Sequence, residues 1–400
     1  MPIAAILAVD WGKFPKKRAV YVAETSARTV RRLEGNWSLE TLVETARTWQ
    51  GDGAVVIAID APLGVPAEYF SQMRAQLRLK ENASFLGLLD AVPDDYFDVV
   101  KHPRAWRHQR PFFSVLPGKD GLGAFKRKAG CEITREVDRR TRAKSPFITS
   151  GIPGSVGSGA IELWRQLRTL RAGSRLARAV KVWPFEGALD KLTRTNHIIL
   201  AETYPRACYS IALRDCAPEV RPITALAKTN RATRVGAIQE LLEVRQRWAN
   251  RVEIENLDEA RKGEDDFDAC LTAVALLRAT LDGTLFRPTP LVDRRAEGGI
   301  LGLSAVSLDR DQLFLQFGRA ATAPPGESPR RSRARRQATK AVGTVACPIP
   351  GCTKVFTGSL GGWDAHVASR RTHPGWLSEI KDPHERKRKF RTMYPKFFDK

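Results

Sequence analysis

The sequence predicts an α/β protein: a mixed sheet flanked by helices, carrying a long insertion and followed by a small ββα unit. Three observations carry that expectation. The first sixty residues read in the order strand, strand, strand, helix, strand. The apolar runs AILAV before Asp10 and AVVIAI before Asp60 have the continuous β-branched pattern of strands covered on both faces. Two cysteines and two histidines stand near the C-terminus, after a basic segment without apolar periodicity.

Residues 3 to 10 form the first expected strand, RAVYVAE (18 to 24) the second in hairpin reach, and TVRRLEG (29 to 35) the third. Ser38 has the chemistry of an N-cap, with Glu40 in the first turn and Trp37 and Leu42 spaced for a hydrophobic staple. The helix SLETLVETARTWQ follows and ends near Gly51 and Gly53, before the strand AVVIAID at 54 to 60. From about 67 to 196 the pattern loosens into an insertion rich in Pro, Gly, Arg and aromatic residues. Order returns with the buried strand HIILAETYP (197 to 205), a helical stretch over about 223 to 249, an acidic helix from 265 to about 281, and the segment AEGGILGLSAV (296 to 306).

The domain expected over residues 1 to 318 gives way to a basic linker over 319 to 344. That linker carries Arg330, Arg331, Arg333, Arg335 and Arg336 and lacks any periodic apolar pattern. A small unit over 345 to 376 and a basic tail over 377 to 400, with Lys387, Arg388 and Lys389, complete the chain. Lysine and arginine total 66 against 44 acidic residues, a formal charge of +22 and a pI near 10.1. Such a field favours polyanions, nucleic acid first among large ones. No stretch has the length and apolarity of a membrane span. PIAAILAV lacks the flanks of a signal peptide, and the scattered cysteines do not form a disulfide framework, so a cytoplasmic protein is expected.

Carboxylates end two of the core strands, at Asp10 and Asp60, and a third strand carries Glu202. Asp265 and Asp268 are three apart and share one face near the start of the acidic helix. A buried carboxylate is costly unless cations or hydrogen bonds compensate it, and several together repel one another. Mg²⁺ or Mn²⁺, which prefer hard oxygen ligands, would resolve both problems; the alternative is that each Asp caps the element after it.

Three antiparallel strands, a helix and a parallel strand open the ribonuclease H-like fold. The chain resembles an uncharacterised family of predicted nucleases with that fold, the domain-of-unknown-function family 429. The resemblance rests on VDWG at Asp10, IDAPLG at Asp60, AETYPRA at Glu202, DDFDA at 265 to 269 and AEGGILG near Gly298, with looser matches in TREVDRR and SPFITSGIPG. The spacing on the acidic helix also resembles Holliday-junction resolvases of the RuvC type. The resemblance implies phosphodiester hydrolysis by two metal ions about 4 Å apart. Asp10 would bridge them, Asp60 or Glu202 would complete one site, and Asp265 with Asp268 the other. Glu202 has a second reading, as the partner of a basic side chain. Asp266 points elsewhere on the helix, as a first-turn cap.

Two other functions share these features: a nucleic-acid-binding protein whose nuclease site is vestigial, and a nucleotide-binding phosphotransferase of the actin-like fold. The latter needs a second glycine-rich phosphate loop, for which SGIPGSVGSG (150 to 159) is the one candidate. In the insertion, KHPRAWRHQRPFF interleaves Arg104, Arg107 and Arg110 with Trp106, Phe112 and Phe113. Such a segment either contacts phosphates and bases or packs the insertion onto the core. Cys347, Cys352, His366 and His373, spaced C-x4-C-x13-H-x6-H, are sufficient for a tetrahedral Zn²⁺ site. With Phe356 and Trp363 at the apolar anchor positions, residues 345 to 376 resemble a C2H2 zinc finger, although both gaps after Cys352 are long for that family.

Overall fold

In the computed structural model the chain divides into two compact units, Met1–Ala320 and Ala321–Lys400. Residues 3–116, 121–173, 175–287 and 293–317 of the first unit are described; in the second, residues 345–347, 349, 352, 355–356, 380 and 382–394. The linker arginines 330, 331, 333, 335 and 336, together with His366 and His373, lie outside the described residues.

The first unit is built on an eight-stranded mixed sheet. Strands β1 (Ile3–Asp10), β2 (Ala19–Glu24) and β3 (Thr29–Leu33) form the antiparallel meander that the sequence predicts. Helix α1 (Leu39–Ala46) returns the chain to β4 (Ala54–Ile59), which lies parallel to β1. The cap of α1 is reciprocal: the Ser38 side chain accepts from Thr41 N, and the Thr41 hydroxyl accepts from Ser38 N. Trp37 and Leu42 are buried in one cluster, as a staple requires.

Beyond β4 the order continues through β6 (Ile198–Thr203), all parallel, with β5 (Val180–Val182) against the first half of β6 and β8 (Ile300–Leu301) against its end. The far edge beside β3 is β7 (Glu253–Ile254). Alternation sorts the core strands between two layers. Leu7, Val9, Val55, Ile57, Ile198 and Leu200 pack with α1 and the insertion. Ala8, Val56, Ala58, Ile199 and Ala201 face the helices α3 (Pro205–Leu213), α4 (Arg231–Val244) and α5 (Glu264–Leu281). Alanines on that face let α5 approach closely, and α5 is buried nearly all round from Phe267 to Thr280.

Two expectations need revision. The stretch over 223 to 249 is not one helix: Thr224–Leu226 is a short strand paired with Leu313–Leu315, and the helix begins at Arg231. Asn230 caps it by accepting from Ala232 N, a stop and restart that Thr, Asn and a strand edge impose. The insertion is not loose. It contains the 17-residue helix α2 (Gly157–Gly173), several shorter helices and a small parallel strand pair. Its aromatic residues supply its core: Trp106, Phe112, Phe113, Phe125, Phe147 and Trp164 are all fully buried.

One buried cation joins the insertion to the sheet. Arg135 makes paired hydrogen bonds to Glu202 at 2.7 and 2.6 Å and to Asp138 at 2.9 and 2.7 Å, and donates to the carbonyls of Leu63 and Glu297. The backbones around it touch directly. A Cβ on Gly64, at φ +129°, would lie 2.4 Å from the Glu297 carbonyl, and one on Gly298, at φ +75°, would lie 2.2 Å from that of Leu63. Arg135→Met leaves two carboxylates buried without their counter-ion, so it should lower unfolding stability by about 3–5 kcal/mol. Urea denaturation of the full chain followed by tryptophan fluorescence reads this; an unchanged midpoint would contradict it.

Candidate functional site

Parallel pairing of β1 with β4 places two carboxylates at one end of the sheet. Val9 and Ile59 are register partners, and Asp60 N donates to Val9 O at 3.0 Å, so Asp10 and Asp60 leave their strands side by side. Helix α5 crosses beneath β1 and β2 and brings Asp268 to the same point. Carboxylate oxygens of Asp10, Asp60 and Asp268 lie within 4.8 Å of one another.

These three charges are not left to repel freely. Asp268 is buried, its Oδ1 accepting from the Tyr209 hydroxyl and its Oδ2 from Lys228 Nζ. Lys228 sits on the segment before α4, and the buried Arg234 fixes it there by donating to the Lys228 carbonyl at 2.6 Å and to those of Arg261 and Lys262. Burial, then the charges of Asp268, Asp60 and Asp265, push the Asp10 carboxyl well above the ordinary range, with Lys228 opposing. Burial, then Asp268, pushes Asp60 up to about 7. Asp268 is raised by burial against the opposing pull of Lys228 and Tyr209.

The other expected members fall elsewhere. Glu202 neighbours Ile59 in the sheet, but its two oxygens are engaged by Arg135 and by Leu63 N at 2.7 Å, so its reading as the partner of a basic side chain is the one the structure has. Asp265 is exposed in the first turn of α5, outside the group of three, and its carboxyl is raised by burial of its surroundings. Asp266, in the same turn, pairs with Arg32 at 2.5 Å. Arg104 and Arg107 are exposed, whereas Arg110 is paired with Asp95 and Asp98. Arg388 and Lys389 are exposed on the helix Pro383–Met393; the Lys387 side chain lies outside the described residues.

A cleft of about 230 Å³ opens beside the carboxylates, lined among others by Asp60, Asp268, Tyr209, Lys228, Arg142, Lys144 and Arg206. Part of SGIPGSVGSG also faces it, through Pro153, Gly154 and Val156. Sequence reasoning missed Lys228 and Tyr209. Neither sits in a distinctive motif, although a lysine after a short β-forming run and a tyrosine one turn into the AETYPRACY helix were the available signals.

The family model for "Protein of unknown function (DUF429)" matches residues 9–291 of this chain. The chain belongs to that family. The DUF429 match takes in all three clustered aspartates, Tyr209 and Lys228, and ends before the AEGGILG segment. No curated protein and no solved structure matches the chain.

The donor set is all oxygen, which suits a hard divalent ion, and Asp10 and Asp60 accept no side-chain hydrogen bond among the described residues. Without such an ion the cluster opposes folding as it ionises. A carboxyl whose folded pKa is raised costs stability as pH climbs from the unfolded value of about 3.9 through about 7, and that cost is absent below. Asp60→Asn should therefore raise the melting temperature of metal-free protein at pH 8 and leave it nearly unchanged at pH 4. Thermal melts in chelator at both values check this; an equal shift at both would contradict it.

Proposed function

We propose that this protein is a metal-dependent nuclease with a ribonuclease H-like fold, hydrolysing phosphodiester bonds of DNA or RNA. The observation that carries the reading is the convergence of Asp10, Asp60 and Asp268, from three separate elements, within 4.8 Å beside a cleft with basic walls. The antiparallel meander followed by parallel β4 and β6 supports the fold assignment.

In this reading Asp10 and Asp60, whose oxygens accept no side-chain hydrogen bond among the described residues, would hold Mg²⁺ or Mn²⁺ together with Asp268. The bound ions would activate water and stabilise the leaving oxygen. Tyr209 and Lys228 fix the orientation of Asp268 and spread its charge. Lys228 also brings a cation to the site of the phosphate, and exposed Asp265 stands at its rim. The high values of the Asp10 and Asp60 carboxyls mean that a divalent ion must displace protons to bind at neutral pH.

Cleavage of labelled single-stranded, duplex and branched substrates with Mg²⁺ or Mn²⁺ tests the reading. Activity should fall more than about 100-fold in Asp10→Asn and in Asp268→Asn, because each removes a ligand of the reacting centre. Activity that survives both substitutions would eliminate the site. Salt-sensitive binding without any cleavage would select the vestigial alternative instead.

The second unit is proposed to carry Zn²⁺ on Cys347, Cys352, His366 and His373, and to aid nucleic-acid binding with the basic segments around it. The hairpin of Val345–Ala346 and Val355–Phe356 supports this, since it brings the Cys352 thiol against that of buried Cys347. Purified protein should contain one zinc per chain, and Cys347→Ser should lose it. Elemental analysis showing equal zinc in both would reject the site.

A further inference from the structure

The arginine-rich segments that drew attention in the sequence are not the basic groups nearest the carboxylates. Lys228 bonds Asp268 itself, and Arg142, Lys144 and Arg206 line the same cleft, from two separate parts of the chain. Arg142 ends the short helix Glu136–Thr141 in a left-handed conformation at φ +59°, and Lys144 follows two residues later. Arg206 lies in the first turn of α3, against the Tyr204 hydroxyl.

Many arginines of this unit are neutralised by carboxylates, for example Arg110 by Asp95, Arg139 by Glu136 and Arg171 by Asp90. Arg142, Lys144 and Arg206 are exposed and carry no ion pair among the described residues. Three uncompensated cations on the rim of one cleft repel one another, and the cleft floor beside them is acidic at Asp60 and Asp268. A ligand that relieves both must place negative charge on the wall while presenting a second anionic group where the floor is neutralised by a cation.

We propose that this wall grips the sugar–phosphate backbone of a single nucleic-acid strand: Arg142, Lys144 and Arg206 hold the phosphates next to the one presented to Asp10, Asp60 and Asp268. The inference rests on the nuclease reading and names its substrate grip. A repeating polyanion meets the arrangement because one phosphate occupies the wall while its neighbour reaches the floor. An isolated phosphate satisfies only one of the two. Tyr204, also in the lining, offers a ring on which a base stacks. Val156, the residue before α2, is also in the lining, so the amide end of that 17-residue helix adds its partial positive charge to the cleft.

Fluorescence anisotropy of the full chain with a labelled single-stranded oligonucleotide, in EDTA so that no cleavage occurs, tests the grip across a salt series. The combined variant Arg142→Asn, Lys144→Gln, Arg206→Gln should bind at least tenfold more weakly. Its slope of log affinity against log salt should become shallower by about 2, since each single-strand phosphate contact contributes about 0.7. Asparagine at 142 tolerates the left-handed backbone, and a thermal melt confirms that the variant folds. Arg175→Gln, an exposed arginine at the other end of α2, should leave the slope unchanged.

An unchanged slope in the combined variant overturns the proposal. So does loss of ATP binding in that variant with strand binding intact, which would assign the wall to a free nucleotide. The expected slope change in the combined variant, with a wild-type protein that never cuts the strand with Mg²⁺ or Mn²⁺, keeps the grip and sinks the nuclease reading.

Discussion

The arrangement around the carboxylates depends on one buried guanidinium. Arg135 has essentially no exposure, yet it is shared by Glu202 at the end of β6, Asp138 in the insertion, and the carbonyls of Leu63 and Glu297. A charge so deeply placed is tolerable only because every direction it faces offers an oxygen. Each tie restrains a segment that leads to the site. Leu63 follows Asp60 by three residues, Glu202 precedes Tyr204 and Arg206, and the helix capped at Arg135 ends at Arg142. The close backbone contacts of Gly64 and Gly298 bring the same loops together where no side chain fits.

Around this rigid joint the protein keeps an unfavourable electrostatic cluster. Burial and the charge of Asp268 raise the proton affinity of Asp10 and Asp60; Lys228 opposes the rise at all three aspartates, and the Tyr209 hydroxyl opposes it at Asp268. Natural folds rarely keep such repulsion where apolar packing would serve, so its presence fits a site shaped for a ligand rather than for stability. The net charge of +22 sets a positive field at longer range, while the uncompensated cations of the cleft act at contact distance.

The insertion shows how one composition serves two ends. Its aromatic residues, interleaved with cations in the sequence, turn inward: Trp106 donates to the Pro111 carbonyl, and Phe112 and Trp164 meet edge to face. Its described cations other than Arg135 are not buried, and Arg142 and Lys144, which follow the helix Glu136–Thr141, line the cleft. Alternation of cation and ring in a loop-rich stretch is therefore a poor guide to which residues meet a ligand, because burial of the rings alone accounts for half the pattern.

The sequence by itself determined the meander, α1 with its Ser38 cap, β4, β6 and α5, because apolar periodicity and capping chemistry are local. It also marked Asp10, Asp60 and Asp268, since a carboxylate at the end of a core strand or inside a buried helix is conspicuous against its neighbours. Only the tertiary structure decided which acids share a site. Glu202 and Asp60 have near-identical contexts, a buried strand ending in an acid, and what separates them is Arg135, which is 67 residues from Glu202 along the chain. Lys228 and Tyr209 reach Asp268 across 40 and 59 residues, and no local pattern encodes such meetings. Periodicity reports which face of an element is buried; electrostatic partnership depends on which elements cross, and that is settled by packing alone.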